Sequence, residues 1–301
     1  MKPGRPRRAS AVFAPAVLAV LLCACASTGG GSRASGTGGT TPPPDPASAP
    51  ATSGSTPPGP GPWHLAFADD FPGTALDARR WVTCYDWNVN GCTNSANKEL
   101  QWYQPSQVTV AGGAATLTAE HKDTVGSDGK TYPWRSGLLS TGRPNKDAPP
   151  RFTYTYGYLE ASVKMPPVSP ANDFFPAFWL LTDDLSGAPE IDIVELIGDH
   201  TTARFNFQWV TATGVRAKAP HDFAGPVDYS AGYHRFGLDW EPGTLTWYVD
   251  GVARASFANS VVVPARPLEI LFDLALGGFA APPTEFAPGA MSIDHVRLWQ
   301  H

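Results

Sequence analysis

Residues 244–257 read TLTWYVDG followed by VARASF, an alternation of apolar and polar side chains that breaks at Asp250-Gly251 and then resumes. Side chains change face at every residue of a strand but follow a 3.6-residue period on a helix, so this pattern suits half-buried strands. An Asp-Gly pair between two such runs marks a tight hairpin, because its turn needs positive φ at both central residues. ATLTAEH and YLEASVKM repeat the alternation upstream, and 30 Gly and 31 Pro punctuate the chain. No window of a dozen residues carries a helical stripe. A chain built this way is restricted to an all-β sandwich of many short strands.

The sandwich does not begin at residue 1. Lys2, Arg5, Arg7 and Arg8 precede an apolar run of 13 residues, Ala11 to Cys23, which is too short to span a bilayer as a stable helix. Residues 1–26 therefore read as an export signal. Its end, Leu22-Cys23-Ala24-Cys25, is similar to a bacterial lipobox with Cys25 as the lipidated residue, and Ala24-Cys25-Ala26 equally offers an ordinary signal-peptidase site. Residues 27–62 are almost wholly Ser, Thr, Gly, Pro and Ala, a composition that cannot bury enough apolar surface to order itself, and read as a disordered tether. Residues 63–301 are long enough for one domain with a large core.

The charge balance narrows the partners. The chain carries −5 overall, but residues 63–301 hold 17 Lys and Arg against 26 Asp and Glu. That acidity, with no basic patch among the aromatics, excludes nucleic acid. Membrane association is expected only through an N-terminal lipid, and a monomer is expected. Cys84 and Cys92 are the cysteines outside the signal; in an exported domain they are expected to pair around YDWNVNG, the alternative being two free thiols.

The segment PEIDIVELIG, residues 189–198, places Glu190, Asp192 and Glu195 among Ile191, Ile193, Val194, Leu196 and Ile197. On a regular strand Glu190 and Asp192 share a face and Glu195 points the opposite way. One extra residue in a bulge at Ile193-Val194 restores the parity and brings all three acids to one surface. Ordinary surface acids would not be interleaved with so many large aliphatics. A calcium site would be expected on a loop with Asn, Gly and carbonyl donors. Two carboxyls about 5–5.5 Å apart are what a retaining glycosidase uses, one as nucleophile and one as acid/base. Asp192 between them would tune both by like-charge coupling and hydrogen bonding.

E-I-D-I-V-E resembles the bulged E-x-D-x-x-E signature of glycoside hydrolase family 16, the laminarinase and lichenase group. The likeness extends in order through FADDFPGTALDARRW, NKELQWYQP, SGLLST, YGYLEASVKMP, FPAFWLL, YHRFGLDWEPGTLTWYVDG, PLEILFDLALGG and MSIDHVRLWQ. The resemblance implies a jelly-roll β-sandwich with a concave glycan-binding cleft. It implies Glu190 as nucleophile, Asp192 as its assistant and Glu195 as acid/base of a retaining endo-β-glycanase acting on β-1,3- or mixed β-1,3-1,4-glucan. The bulged signature also fits agarase- and carrageenase-like galactan hydrolases.

Sugar contacts are expected from Asn97, Trp102, Trp179, Asn206 and Gln208, the last two because GDHTTARFNFQW resembles a cleft-lining family segment. Tyr158-Leu159 and Phe175 replace the family's common Arg-Phe and Trp, which is expected to affect sugar recognition. Trp247 and Trp299 read as core, and His234 as a structural histidine. Asp294 resembles the acid that holds a structural calcium in many members, while catalysis itself needs no cofactor. A non-catalytic glycan-binding module and a surface structural or adhesion protein are the competing readings; three intact acids disfavour the first, and the tether would suit the second equally.

Overall fold

The structure is a computed structural model that describes residues 56–85, 91–184, 186–225, 227–278 and 283–301. The expected export signal, Cys25 and most of the expected tether lie outside the described residues. The strands are β1 (His64–Asp69), β2 (Gln101–Tyr103), β3 (Val108–Ala111), β4 (Ala114–Val125), β5 (Thr131–Ser136), β6 (Leu138–Ser140), β7 (Gly157–Lys164), β8 (Phe174–Thr182) and β9 (Glu190–Glu195). They continue with β10 (Thr202–Val210), β11 (Arg216–Lys218), β12 (His221–Ala224), β13 (His234–Glu241), β14 (Thr244–Val249), β15 (Val252–Ala258), β16 (Leu268–Leu276) and β17 (Gly289–Gln300). Among the described residues the helical turns are two short 3-10 segments, Ser95–Asn97 and Pro105–Gln107.

The strands form two sheets, as the alternation requires. One runs β15-β14-β13-β7-β17-β4-β5-β2, with β1 beside β17 and β3 beside β4; the other runs β11-β10-β9-β8-β16-β6, with β12 beside β10. The hairpin read from Asp250-Gly251 is present between β14 and β15. Both residues have positive φ, 52° and 77°, a backbone that glycine adopts without steric cost and aspartate tolerates.

Alternation decides what each face of the second sheet does. Phe178 and Leu180 of β8, Ile191 of β9, Phe205 and Phe207 of β10, and Ile270, Phe272 and Leu274 of β16 point into the main core between the sheets. The intervening residues of the same strands point away from the first sheet. There Ala177, Trp179, Leu181 and Leu271 form a second, smaller apolar cluster with Tyr85, Tyr103 and Leu138. Cys84 and Cys92 form a disulfide, and Cys92 packs against this cluster. The segment leading into β2 is thereby tied onto the outer face of the second sheet, making one wall of a cleft.

One expectation is corrected on the first sheet. Trp247 and Trp299 are both buried, as expected, Trp247 in the main core and Trp299 outside it. Trp299 stacks on Tyr158 with ring centroids 5.8 Å apart, on the face of the sheet turned away from the main core. Tyr158 alternates with Leu159 and so faces outward on the sheet remote from the cleft. The replacement at Tyr158-Leu159 therefore bears on the packing of the first sheet rather than on sugar recognition. His234 is structural: its Nδ1 lies 2.9 Å from Asp250 Oδ2.

Candidate active site

The three acids of β9 share one face because the strand is bulged. Val194 pairs with Phe178 and Asp192 with Trp179, so Ile193 has no partner on β8. On the other side Glu195 pairs with Arg204 and Asp192 with Asn206, leaving two residues of β9 opposite Phe205 alone. Ile193 and Val194 both enter the main core, with Ile191 and Leu196 on either side. Burial of each such aliphatic is worth about 1.5–3 kcal/mol. A ladder hydrogen bond lost to the bulge costs about 1 kcal/mol net. Packing therefore favours the bulge, and the bulge turns Glu195 outward beside Glu190 and Asp192.

Three rungs result. Leu181, Glu190 and Gln208 make one; Trp179, Asp192 and Asn206 the next; Ala177, Glu195 and Arg204 the third. They floor a cleft of about 740 Å³ whose wall on one side carries Tyr85, Asn97 and Glu99, and on the other Arg216 and Lys218.

The two glutamates differ electrostatically. Gln208 Nε2 donates to Glu190 Oε1. Burial raises the Glu190 carboxyl strongly and the charge of Asp192 adds to this, while the guanidinium of Arg216 opposes them. Glu195 is raised by burial first, then by the charges of Asp192 and Glu190, with Arg204 opposing weakly. No hydrogen bond from a described residue reaches its carboxyl. Both carboxyls are thus raised towards their acid forms, and Glu190 differs in having the Gln208 amide as a donor and the Arg216 guanidinium opposing the rise. Asp192 is fully buried and raised by desolvation, with the amides of Asn206 and Gln208 pulling it back. Asp192 Oδ2 and Asn206 Oδ1 are buried without hydrogen-bond partners among the described residues.

Of the sugar-contact residues expected from sequence, Asn97, Trp179, Asn206 and Gln208 line the cleft. Trp102 does not. On β2 it alternates with Gln101 and Tyr103, which face the cleft floor, so its ring turns the other way. It packs 5.1 Å from the ring of Tyr132 and against the backbone of Gly91 and Gly126. Phe175, standing where the family has Trp, does line the cleft. Asp294 lies on β17 of the other sheet, with His295 Nδ1 3.0 Å from its carboxylate. Among the described residues no three His, Cys, Asp or Glu side chains, Asp294 included, gather as metal ligands.

Two buried acids in the cleft were not singled out from the sequence. Glu99 accepts from Gln101 Nε2 at 2.7 Å, and burial with the charge of Asp273 pushes it up to about 8. Asp273 on β16 accepts from Trp179 Nε1 at 2.7 Å and Tyr103 Oη at 2.9 Å, and burial pushes it up to about 7. The signal was available. LEILFDLAL sets acids at alternate-face positions in an apolar strand just as PEIDIVELIG does.

A family model described as Glycosyl hydrolases family 16 matches residues 95–297. Endo-1,3-1,4-beta-glycanase EglC of Rhizobium meliloti (strain 1021) is 31% identical over 251 residues, which are 77% of this chain and 51% of that protein. Glucan endo-1,3-beta-glucosidase A1 of Niallia circulans is 27% identical over 271 residues, 79% of this chain and 38% of that protein. The chain spans about half or less of the length of these curated relatives. The catalytic domain of an endo-1,3-beta-glucanase (laminarinase) from Thermotoga petrophila RKU-1 has the same fold. Its TM-score is 0.67 at 23% identity, over 79% of this chain and 98% of that one.

Proposed function

The chain belongs to glycosyl hydrolases family 16, and on that premise we propose that it is a retaining endo-β-glucanase cleaving β-1,3- or mixed β-1,3-1,4-glucan. The observation that carries this reading is the bulge at Ile193-Val194, which lines up Glu190, Asp192 and Glu195 on the floor of one cleft. Glu190 attacks the anomeric carbon while Glu195 protonates the departing sugar oxygen; water, deprotonated by Glu195, then releases the glycosyl-enzyme. Asp192 sits between them as a coupled charge that keeps Glu195 protonated until it is needed. Asn97, Trp179, Asn206 and Gln208 bind the glycan. The reaction requires no cofactor, since both proton transfer and nucleophile come from side chains.

The names of the relatives support the choice of glucan, and the galactan reading rests on the signature alone. The basic and apolar start of the sequence supports export, secreted or lipid-anchored. The test is a reducing-sugar assay of the purified chain on laminarin, mixed-linkage β-glucan, agarose and carrageenan. Hydrolysis of either glucan is expected. Hydrolysis of galactan only, or binding without hydrolysis, would overturn the proposal.

A further inference from the structure

Asp273 is a buried carboxylate on the cleft floor that bond cleavage does not call on. It pairs with Ala177, which pairs in turn with Glu195, so it lies two strand spacings from Glu195, about 9–10 Å. Each of its oxygens is taken by an aromatic donor, Oδ1 by the indole N–H of Trp179 and Oδ2 by the phenol O–H of Tyr103. Leu271, two residues before it on the same face, shows that an apolar side chain fills this surface without difficulty. A carboxylate here is costly to bury, so its use points to what it holds rather than to packing.

What it holds is part of the cleft floor. Trp179 lines the cleft, and its apolar contacts with its own cluster are non-directional. Tyr85 lies edge-on to it at 6.4 Å and edge-on to Tyr103 at 5.4 Å. The hydrogen bond to Nε1 adds a directional contact to this packing and holds that edge of the indole towards Asp273.

We propose that Asp273 is a positioning residue of the cleft, locking the indole plane of Trp179 in the orientation on which a sugar ring docks. This rests on reading the cleft as a glycan site, and it adds a residue to that site rather than a step to the reaction.

The experiment uses Asp273→Asn, Asp273→Leu, Trp179→Phe and the double variant Asp273→Leu/Trp179→Phe. The first readout needs no turnover. In a proton–nitrogen correlation spectrum the indole signal of Trp179 is the one absent from Trp179→Phe. It should shift and exchange faster in Asp273→Leu, and stay near its original position in Asp273→Asn, whose amide carbonyl still accepts from the indole. The second readout is kinetic. Asp273→Leu should raise KM about tenfold, the scale of one lost charge-assisted hydrogen bond, with kcat nearly unchanged. Asp273→Asn should recover most of that loss. In the Trp179→Phe background Asp273→Leu should add little, because the bond it breaks is already gone.

An indole signal unmoved in Asp273→Leu, additive losses in the double variant, or a fall in kcat at constant KM would each overturn the proposal. If Asp273→Leu does not fold, Tyr103→Phe replaces it by removing one of the two donors that steady the carboxylate, and an unmoved Trp179 signal there is equally fatal. A chain that hydrolyses no glucan overturns the glucanase reading, while the indole signal still decides the role of Asp273.

Discussion

Trp247 and Asp192 belong to different sheets and are joined by a 2.9 Å hydrogen bond from the indole Nε1 to the main-chain carbonyl oxygen of Asp192. The carbonyl lies beside the bulge, where the regular ladder is interrupted. The indole comes from β14, across the core, and is itself fully buried. A residue that reads as plain core filler is thus a strut holding the backbone between two of the three acids.

Trp247→Phe keeps an aromatic ring in the core and strands that carbonyl without a donor. Leaving a buried acceptor unpaired costs about 1–3 kcal/mol, which for a domain of this size lowers Tm by about 2–12 °C. Thermal unfolding should show that loss, and kcat should fall in protein that remains folded. A variant as stable and as active as the parent would mean that the strut is dispensable.

The roles of Glu190 and Glu195 can be separated with substrates of different leaving group. Glu195→Ala should lose about 10²–10⁴ in rate on polysaccharide, where the leaving alkoxide needs a proton. On an aryl glycoside with a good leaving group it should keep much of its first step, and added azide should give the β-glycosyl azide. Glu190→Ala with azide should give the α-azide instead. The opposite pair of anomers would exchange the two assignments.

Retention follows from the same assignment. Proton NMR of the first product should show the β-anomer, since two inversions at one carbon cancel. Early accumulation of the α-anomer would rule out a glycosyl-enzyme.

The pH profile has a definite sign. Glu195 must be protonated for the first step, and burial with the charges of Asp192 and Glu190 raises its pKa, so the basic limb of kcat/KM should lie above the ordinary carboxylate range. Asp192→Asn removes one of those charges and should move that limb to lower pH while slowing the reaction. A limb that moves upward would mean that another group sets it.

Stability should depend on pH through Glu99. Its carboxyl is raised from 4.5 to about 8 by burial and by Asp273. The folded state therefore holds a proton that the unfolded chain gives up, so this stabilisation is complete below about pH 4.5 and is lost as pH rises through about 8. Urea unfolding at a series of pH values should show the decline, and Glu99→Gln should flatten it. An unchanged slope in that variant would assign the decline to other acids.

Much of the sandwich was legible because strand alternation is a local signal. The Asp250-Gly251 hairpin and the bulge at Ile193-Val194 could both be read by counting parity along single strands. What parity could not supply was which strand lies beside which. Trp102 was expected at the cleft because it sits near Asn97 in the chain, yet on β2 it faces away from its strand neighbours Gln101 and Tyr103, which turn towards the cleft floor. Asp273 and Glu99 were overlooked for the complementary reason. They lie in segments far apart in sequence, and only the insertion of β16 between β6 and β8 brings Asp273 under Tyr103 and Trp179. Trp299 is buried as alternation suggests, but alternation does not say on which face of its sheet.

The place of β16 also sets an order of events in time. It pairs with β8, whose residues precede it by about 90 positions, and with β6, about 130 positions earlier. Asp273 meets Tyr103 across 170 residues of chain. Until residues 268–276 arrive, β8 presents an open, strongly apolar edge, the kind of surface on which chains associate wrongly. Closure of so many distant contacts is slow compared with hairpin formation. The cleft is therefore among the last parts of the molecule to exist during folding, and a chain truncated before β16 would be a template for aggregation rather than a weakened enzyme.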